Sequence, residues 1–355
     1  MLMVGCGGDR DEAADAGVAI ADLRAANDAA GGDGATSDGA PPCATCVRDW
    51  STAPAIVEVD GVGEIWALSD IHGDYDALTK LLAGAHVIAK VPAAPAQVTW
   101  NQGAAVLVVV GDAIDKGPDA PDVLALLIAL RASAATAGGR VIVTMGNHEA
   151  EFLADPNNAF ASKTGVEEGL DPELAAIGLT PTQTADGQDA LGVFLRGLPL
   201  AARVDDWFFM HAGDTGGAGV TQLAGAIMSG VDAAWFGAPV VSDADSILEA
   251  RLSATGPQWW DATSDPAALL GQWTAALGVG HLVMGHQPGA VGFADGTKRA
   301  SDTMFAAYGG LVFLIDTGMS VGADDTGGAL LHVQNAGAAD ETWESVLPDG
   351  TKKSL

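Results

Sequence analysis

Five short stretches of this chain carry aspartate, asparagine and histidine, residue types that bind divalent cations. They are "SDIHGD" at 69–74, "GDAIDKGP" at 111–118, "GNHE" at 146–149, "HAGD" at 211–214 and "GHQP" at 285–288. Taken singly, the first two are also typical of turns, whereas Asn, His and Glu in one loop would be costly to bury without a purpose. The five stretches contain no thiolate, which favours Mn, Fe or Zn, and a shared carboxylate would hold two such ions close together.

Each stretch follows an apolar run that is typical of a β-strand. These runs span 64–69, 104–111, 140–146, 205–210 and 281–285, and a sixth spans 311–316. Most are apolar without alternation, which predicts strands that are covered on both faces. Because the carboxyl ends of the strands in an open α/β sheet face one crevice, we expect side chains as distant in sequence as Asp70 and His286 to converge.

Residues 51–355 are predicted to form one catalytic domain of the α/β class. An acidic start and a glycine stop predict a helix over 119–139. Residues 155–188 lose periodicity and are rich in Asn, Pro, Thr and Gly, so we expect an insertion or a lid there. The runs at 329–335 and 342–347 are expected to add edge strands.

Residues 1–50 are predicted to hold a signal remnant and a disordered tether. The stretch "LMVGC" resembles the lipobox of a bacterial lipoprotein, which would make Cys6 the lipidated residue; otherwise Cys6 is an exposed thiol. The following residues are rich in Gly, Ala and Asp, with too few large apolar side chains to offset the entropy of ordering. We therefore expect an exported, periplasmic or outer-membrane lipoprotein with no membrane attachment except through Cys6, and a cytoplasmic protein if this interpretation is wrong.

Cys43 and Cys46 form a CxxC pair near the end of this tether. A zinc site would need a second pair of ligands at matching spacing, which the sequence lacks, and a redox motif would lie at a strand-to-helix junction. A local disulfide in an exported protein is the interpretation that we favour.

The charge of the chain limits its partners. Asp and Glu number 46 against 16 Lys and Arg, so the formal net charge is -30 at pH 7. Such an acidic field repels polyanions, which argues against nucleic acid as a partner.

The ordered set "SDIHG", "GDAIDKG", "GNHE", "HAG" and "GHQP" resembles the calcineurin-like metallophosphoesterase superfamily. Within it, the chain is most similar to the phosphoprotein phosphatase branch that includes the bacterial Shewanella-like phosphatases. Many other members have a GHxH motif, whereas "GHQP" lacks the second histidine, and "FLIDTGMS" at 313–320 adds to the Shewanella-like resemblance. The resemblance implies a four-layer α/β/β/α sandwich.

The same resemblance implies a site with two divalent metal ions that share one carboxylate. The ligands of the first ion would be Asp70, His72 and Asp112. The ligands of the second ion would be Asp112, Asn147, His211 and His286. We expect Mn. Fe and Zn are alternatives, because the ligand set suits all three metals.

The resemblance also implies roles in catalysis and phosphate binding. His148 would be the general acid, and Asp115 would orient it by fixing its tautomer. Lys116, where the family usually has an arginine, would bind the substrate phosphate together with Arg251 and Asn147. Lys116 could instead be a surface charge, and Arg251 could pair with a neighbouring carboxylate, Glu249 or Asp261.

These expectations lead to a phosphomonoesterase, similar to serine/threonine protein phosphatases, in which a hydroxide that bridges the metals attacks phosphorus directly. Its substrates would be phosphorylated proteins, peptides or small phosphoesters. The first alternative is a nucleotide or dinucleoside polyphosphate hydrolase. The second is an inactive metal-binding surface lipoprotein, which is disfavoured because such a site has no need of a proton donor and its orienting carboxylate.

Overall fold

The structure, a computed structural model, describes residues 46–355. Cys6 and Cys43 lie outside the described residues. The lipidation predicted for Cys6 and the disulfide predicted between Cys43 and Cys46 therefore stay predictions. The buried Arg48 joins the start of the described chain to the domain, since its guanidinium donates hydrogen bonds to the carbonyl oxygens of Arg196 and Leu198. The division into a tether over 1–50 and a domain over 51–355 remains a prediction.

Within residues 46–355 the chain forms fourteen strands and nine α-helices, with four short 3₁₀ helices between them. The strands are β1 (Ile56–Val59), β2 (Glu64–Leu68), β3 (Val106–Val110), β4 (Arg140–Thr144), β5 (Ala201–Val204), β6 (Trp207–Met210), β7 (His281–Met284), β8 (Val291–Gly292), β9 (Lys298–Arg299), β10 (Phe305–Ala307), β11 (Val312–Leu314), β12 (Leu330–Gln334), β13 (Thr342–Val346) and β14 (Lys352–Ser354). The α-helices are α1 (Tyr75–Gly84), α2 (Ala120–Thr136), α3 (Asn147–Ala154), α4 (Leu170–Ala176), α5 (Pro181–Ala185), α6 (Ala190–Arg196), α7 (Val220–Ala234), α8 (Pro239–Ser242) and α9 (Pro266–Leu277). The 3₁₀ helices are Pro95–Gln97, Trp235–Gly237, Trp259–Ala262 and Tyr308–Gly310.

Twelve of these strands form two six-stranded sheets. The order in the first sheet is β14-β13-β12-β2-β3-β4, and the order in the second is β1-β5-β6-β7-β11-β10. Each sheet contains one trio of parallel strands, β2-β3-β4 in the first and β6-β7-β11 in the second. The two sheets therefore each present a set of strand carboxyl ends.

The sheets pack face to face, and helices cover their outer faces. In β3, Val106, Val108 and Val110 belong to the core between the sheets. Leu107 and Val109, on the other face of the same strand, belong to the core beneath the helices. Both faces of the strand are therefore dry, which explains the lack of alternation and confirms the predicted α/β/β/α sandwich.

Two details differ from the sequence predictions. The converging strand ends belong to two packed sheets and not to one open sheet. The run at 329–335 forms an interior strand, because β12 pairs with both β2 and β13, and the edge of this sheet is β14. The six strands predicted from the apolar runs between 64 and 316 and the helix predicted over 119–139, here α2, are present. Among the described residues, no helix has the length and apolar character needed to cross a bilayer.

Candidate metal centre

The carboxyl ends of the two parallel trios meet at one edge of the sandwich, and all five ligand stretches lie there. Residues of the ligand stretches make hydrogen bonds from one sheet to the other. Asp70 Oδ2 accepts a hydrogen bond from His286 N at 2.9 Å, and His211 Nδ1 lies 2.9 Å from Val110 O. The site thus links the two sheets.

Six residues of the site have a left-handed backbone, which is uncommon for residues other than glycine. They are Asp70 (φ 53°), His72 (φ 48°), Asp112 (φ 53°), Asp115 (φ 59°), Lys116 (φ 55°) and His286 (φ 67°). Two glycines make room for the carboxylates, since a Cβ at Gly146 would overlap Asp112 and one at Gly285 would overlap Asp70. Strained backbone of this kind is concentrated at functional sites, where the surrounding structure must hold it in place.

Asp112 lies at the centre of the site and is buried. Its Oδ2 atom is 3.3 Å from His211 Nε2, 3.6 Å from His72 Nε2 and 4.0 Å from His148 Nε2. Its Oδ1 accepts a hydrogen bond from His148 N at 3.1 Å. A carboxylate in this position can contact two cations at once, which is the geometry that a bridging ligand needs.

Two sets of ligand atoms gather around Asp112, and the atoms of each set lie within 4.8 Å of one another. The sets are His72, Asp112 and His148, and Asp112, His211 and His286. Asp70 Oδ1 is 3.9 Å from His72 Nε2, and Asn147 Oδ1 is 3.2 Å from His211 Nε2. The structure therefore brings together all six side chains that were predicted to bind metal, and it places His148, the predicted proton donor, beside the first set.

Main-chain carbonyls set the tautomers of two histidines. His72 Nδ1 lies 3.1 Å from Ile114 O, and His211 Nδ1 lies 2.9 Å from Val110 O. Each Nδ1 therefore carries a proton, and each Nε2 is the ring nitrogen that faces the centre and would bind a metal ion. His286 differs, because its Nδ1 lies 3.1 Å from His211 Nε2 while its buried Nε2 has no hydrogen-bond partner among the described residues.

The electrostatics of the centre also fit divalent cations. Burial lowers the pKa of His211, but the Asp112 carboxylate, together with Asp70 and the Val110 carbonyl, outweighs burial and raises this pKa to about 10. Burial alone would raise the pKa of Asp112, but His211 and His148 hold it well below its ordinary value. Asp112 thus keeps its negative charge and attracts positive charge into the site. Imidazole nitrogens, carboxylates and an amide oxygen, with no thiolate, suit Mn, Fe or Zn.

His148 and Asp115 form a buried pair beside these ligands. His148 Nδ1 lies 2.7 Å from Asp115 Oδ2, and Asp115 Oδ1 accepts a hydrogen bond from Leu170 N at 2.9 Å. Burial works against a charge on His148, but Asp112 and Asp115 together raise its pKa above the ordinary value. The imidazole therefore keeps its proton to a higher pH than a free imidazole does, which suits the predicted general acid.

Glu149 has a structural role in the site. Its buried carboxylate accepts hydrogen bonds from Gly146 N at 2.7 Å, Asp112 N at 3.0 Å, Ala113 N at 2.7 Å and Ile114 N at 3.2 Å. The bond to Gly146 caps α3, and the other three tie the 111–118 stretch to the 146–149 stretch. Burial, and then Asp112, raise the pKa of Glu149 to about 7.

Glu151 was not identified from the sequence, although it lies one turn after Asn147 on α3. Asn147 Nδ2 donates a hydrogen bond to Glu151 Oε1 at 3.3 Å while Asn147 Oδ1 faces His211. The carboxylate therefore sets which end of the amide points to the metal ligands. The spacing of four residues on a helix is the only sequence signal for this contact.

The segment 155–188, predicted as an insertion or a lid, lies against the proton donor. The ring of Phe160 packs edge-on against the His148 ring, with 4.9 Å between the ring centroids. Lys163 Nζ lies 5.0 Å from the centroid of the Phe160 ring. Phe160 is 37% exposed, so an apolar ring borders both solvent and the His148 imidazole.

The two predicted phosphate-binding cations occupy different places. Lys116 Nζ lies 3.1 Å from His72 Nε2, inside the site, so Lys116 is not merely a surface charge. Arg251 is exposed, and its charge helps to lower the pKa of His286, after burial and His211, to about 2. Among the described residues no ion pair joins Arg251 to Glu249 or Asp261, although the Arg251 charge opposes the rise in the pKa of Glu249, which burial and then Glu151 bring to about 7. Its part in phosphate binding remains a prediction.

A family model supports the resemblance predicted from the strand-end motifs. The calcineurin-like phosphoesterase model matches residues 63–290, which is more than half of the chain. The chain belongs to the calcineurin-like phosphoesterase family. Members are phosphoesterase hydrolases that depend on two metal ions, and the candidate site offers two groups of ligands around one carboxylate.

A curated relative with a Shewanella-like name is similar to part of this chain. Shewanella-like protein phosphatase 2 of Arabidopsis thaliana is 29% identical over 102 residues, which cover 29% of this chain and 24% of that protein. An uncharacterized protein of Schizosaccharomyces pombe is 38% identical over 85 residues, 24% of each chain. The chain therefore spans about a quarter of the length of these relatives.

Solved phosphatase structures share the fold. A cold-active protein tyrosine phosphatase is 22% identical with a TM-score of 0.62, over 85% of this chain and 80% of that one. The protein-tyrosine phosphatase of a psychrophilic Shewanella species is 24% identical with a TM-score of 0.60, over 85% and 82% of the two chains. A protein serine/threonine phosphatase of Saccharomyces cerevisiae is 15% identical with a TM-score of 0.54, over 83% and 84%. These structures confirm the predicted fold, and the Arabidopsis thaliana relative supports the resemblance to Shewanella-like phosphatases.

Proposed function

We propose that this protein is a phosphomonoesterase that uses two divalent metal ions, with Mn expected, and acts on phosphorylated proteins or peptides. The buried pair of His148 and Asp115 carries the proposal, because it places a proton donor 4.0 Å from the Asp112 carboxylate that both ligand sets share. A site that held metal only for stability would have no use for this pair. The pair therefore supports catalysis over the inactive surface protein.

The side chains divide the reaction between them. When bound, the two metal ions would supply an activated water and would neutralise charge on the phosphate. His148 would hold one proton toward Asp115 on Nδ1 and would donate the other, on Nε2, to the leaving oxygen. Asp115 would keep the imidazole in the orientation that this transfer needs.

Lys116 would bind the phosphate from inside the site. Its ammonium already lies beside the first set of ligands, at 3.1 Å from His72 Nε2. A lysine offers a point charge where an arginine would offer a planar pair of donors, so this contact would be less directional. Arg251, at the exposed edge, would contact the phosphate from the solvent side.

The surroundings of His148 favour an aromatic alcohol on the substrate. The proton donor faces the leaving oxygen, so the side chain that packs on it also borders the leaving group. That side chain is the partly exposed ring of Phe160. We therefore propose phosphotyrosine ahead of the phosphoserine and phosphothreonine expected from sequence, which agrees with the names of the cold-active structural neighbours.

Phosphate release by the full-length protein tests this proposal. The substrates are a phosphotyrosine peptide, a phosphothreonine peptide, p-nitrophenyl phosphate, its bis-ester and diadenosine tetraphosphate, each with and without manganese. We expect turnover of the monoesters with metal only. In His148→Asn, with the metal content unchanged, we expect turnover of the two peptides to be lost and that of p-nitrophenyl phosphate to fall less. Hydrolysis of the bis-ester or the dinucleotide alone would overturn the substrate class, and full activity of His148→Asn would overturn the assigned proton donor.

We also propose that the protein is exported and anchored through Cys6, since "LMVGC" supports lipidation there. Labelling of cells with radioactive palmitate tests this. We expect label in the wild-type protein and none in Cys6→Ser, and an unlabelled wild-type protein would refute the anchor.

A further inference from the structure

The segment "GMSVG" at 318–322, which follows β11, packs against the main chain of Lys116. Ser320 is fully buried, and its Oγ donates a hydrogen bond to Lys116 O at 2.6 Å. The same Oγ accepts a hydrogen bond from Gly322 N at 3.2 Å. One hydroxyl group thus connects the main chain of 318–322 to the main chain of the predicted phosphate-binding residue.

Neighbouring contacts fix the same junction. A Cβ at Gly322 would overlap the Lys116 carbonyl oxygen, so only glycine allows this approach. Val321 N donates a hydrogen bond to Asp74 Oδ2 at 3.3 Å. The segment therefore lies between the 69–74 and 111–118 stretches and touches both.

The lysine needs this support for two reasons. Asp115 and Lys116 are consecutive residues with a left-handed backbone, an arrangement that an isolated loop would not keep. In addition, a lysine side chain is long and flexible, so the direction of its ammonium group depends on where the main chain holds its Cα.

We propose that Ser320 and Gly322 are positioning residues that hold the Lys116 ammonium in the place where the substrate phosphate binds. The inference rests on the proposed function, because it takes Lys116 as a phosphate ligand. It assigns a role to the hydrogen bond from the Ser320 hydroxyl to the carbonyl oxygen of Lys116, which lies 204 positions away in the chain.

Binding of inorganic phosphate to the manganese-loaded full-length protein tests the inference, by titration calorimetry. We expect Ser320→Ala to raise the Kd for phosphate about tenfold, since a displaced positioning group costs this much or more. Gly322→Ala should have the same effect from the other side of the contact. Val321→Ala is the matched control, because this side chain lies between the two and is exposed, and its Kd should not change. A Kd that is unchanged in both variants while they remain folded would overturn the inference.

A double-mutant cycle separates positioning of Lys116 from general support of the loop. Lys116→Ala alone should weaken phosphate binding, and adding Ser320→Ala should then have no further effect. A full additional loss in the Lys116→Ala background, or a loss confined to kcat, would refute positioning through the ammonium. The titration needs no turnover, so a wild-type protein that binds phosphate but hydrolyses nothing would count against the proposed function and not against this inference.

Discussion

The hydrogen bond between His148 and Asp115 predicts a specific change in pH dependence when it is removed. The contact is 2.7 Å long and both side chains are buried. A charge-assisted bond of this kind contributes about 1.5–3 kcal/mol, which corresponds to about 1–2 units in the pKa of the imidazole. In Asp115→Asn the amide oxygen can still accept from Leu170 N, so the change removes the charge and keeps the local packing.

The sign follows from the role of the imidazole. The Asp115 carboxylate stabilises the protonated ring, so its loss lowers the pKa of His148. A general acid works while it is protonated, so the rate falls as the pH rises through this pKa. In Asp115→Asn this fall should move about 1–2 pH units lower.

Steady-state kinetics with two substrates measure the effect. At neutral pH we expect kcat for glycerol phosphate to fall roughly 100-fold in Asp115→Asn, with a smaller fall for p-nitrophenyl phosphate, whose leaving oxygen needs no proton. Asp171→Asn is the matched control, because it removes a nearby half-buried carboxylate that does not contact His148. Equal losses for both substrates with an unshifted pH profile would refute the reasoning and leave Asp115 a structural role only.

Three further outcomes follow from the contacts of single side chains. Glu151→Ala should lower the affinity for the second metal ion about 10- to 100-fold, as measured by calorimetry on the metal-free protein. Glu151→Gln keeps an acceptor for Asn147, so it should lower this affinity much less. Equal affinities of the wild type and Glu151→Ala would contradict the assigned contact. Glu149→Ala leaves four buried N–H donors without their acceptor and should reduce the free energy of unfolding by about 3 kcal/mol or more in urea titrations. Phe160→Ala should lower the ratio of kcat/KM for a phosphotyrosine peptide to kcat/KM for a phosphothreonine peptide about three- to tenfold. Val166 is another exposed apolar residue of the segment, so Val166→Ala should leave this ratio unchanged. An unchanged ratio in Phe160→Ala would remove the argument for an aromatic alcohol.

Several features could not be predicted from local sequence. The runs at 329–335 and 342–347 have β-strand character, but strand character does not encode which strand lies beside which, so β12 was wrongly expected at an edge. The contact between Ser320 and Lys116 joins residues far apart in sequence, and no local pattern marks either as a partner. Phe160 lies in a segment without periodicity, and its position beside His148 is visible only in the folded chain.

The sequence by itself determined the candidate ligands and the family. Metal-binding residue types follow apolar strands at five places, and the carboxyl ends of parallel strands lie on one side of a sheet. The order of strands and motifs along the chain was therefore enough to predict that the candidate ligands converge. Only the tertiary structure decided that two sheets supply these strand ends, and which groups hold the ligands in place. The reason is that a strand's direction is a local property, whereas the partner of a buried carboxylate, hydroxyl or amide is whichever group the packing of distant segments brings within hydrogen-bond reach.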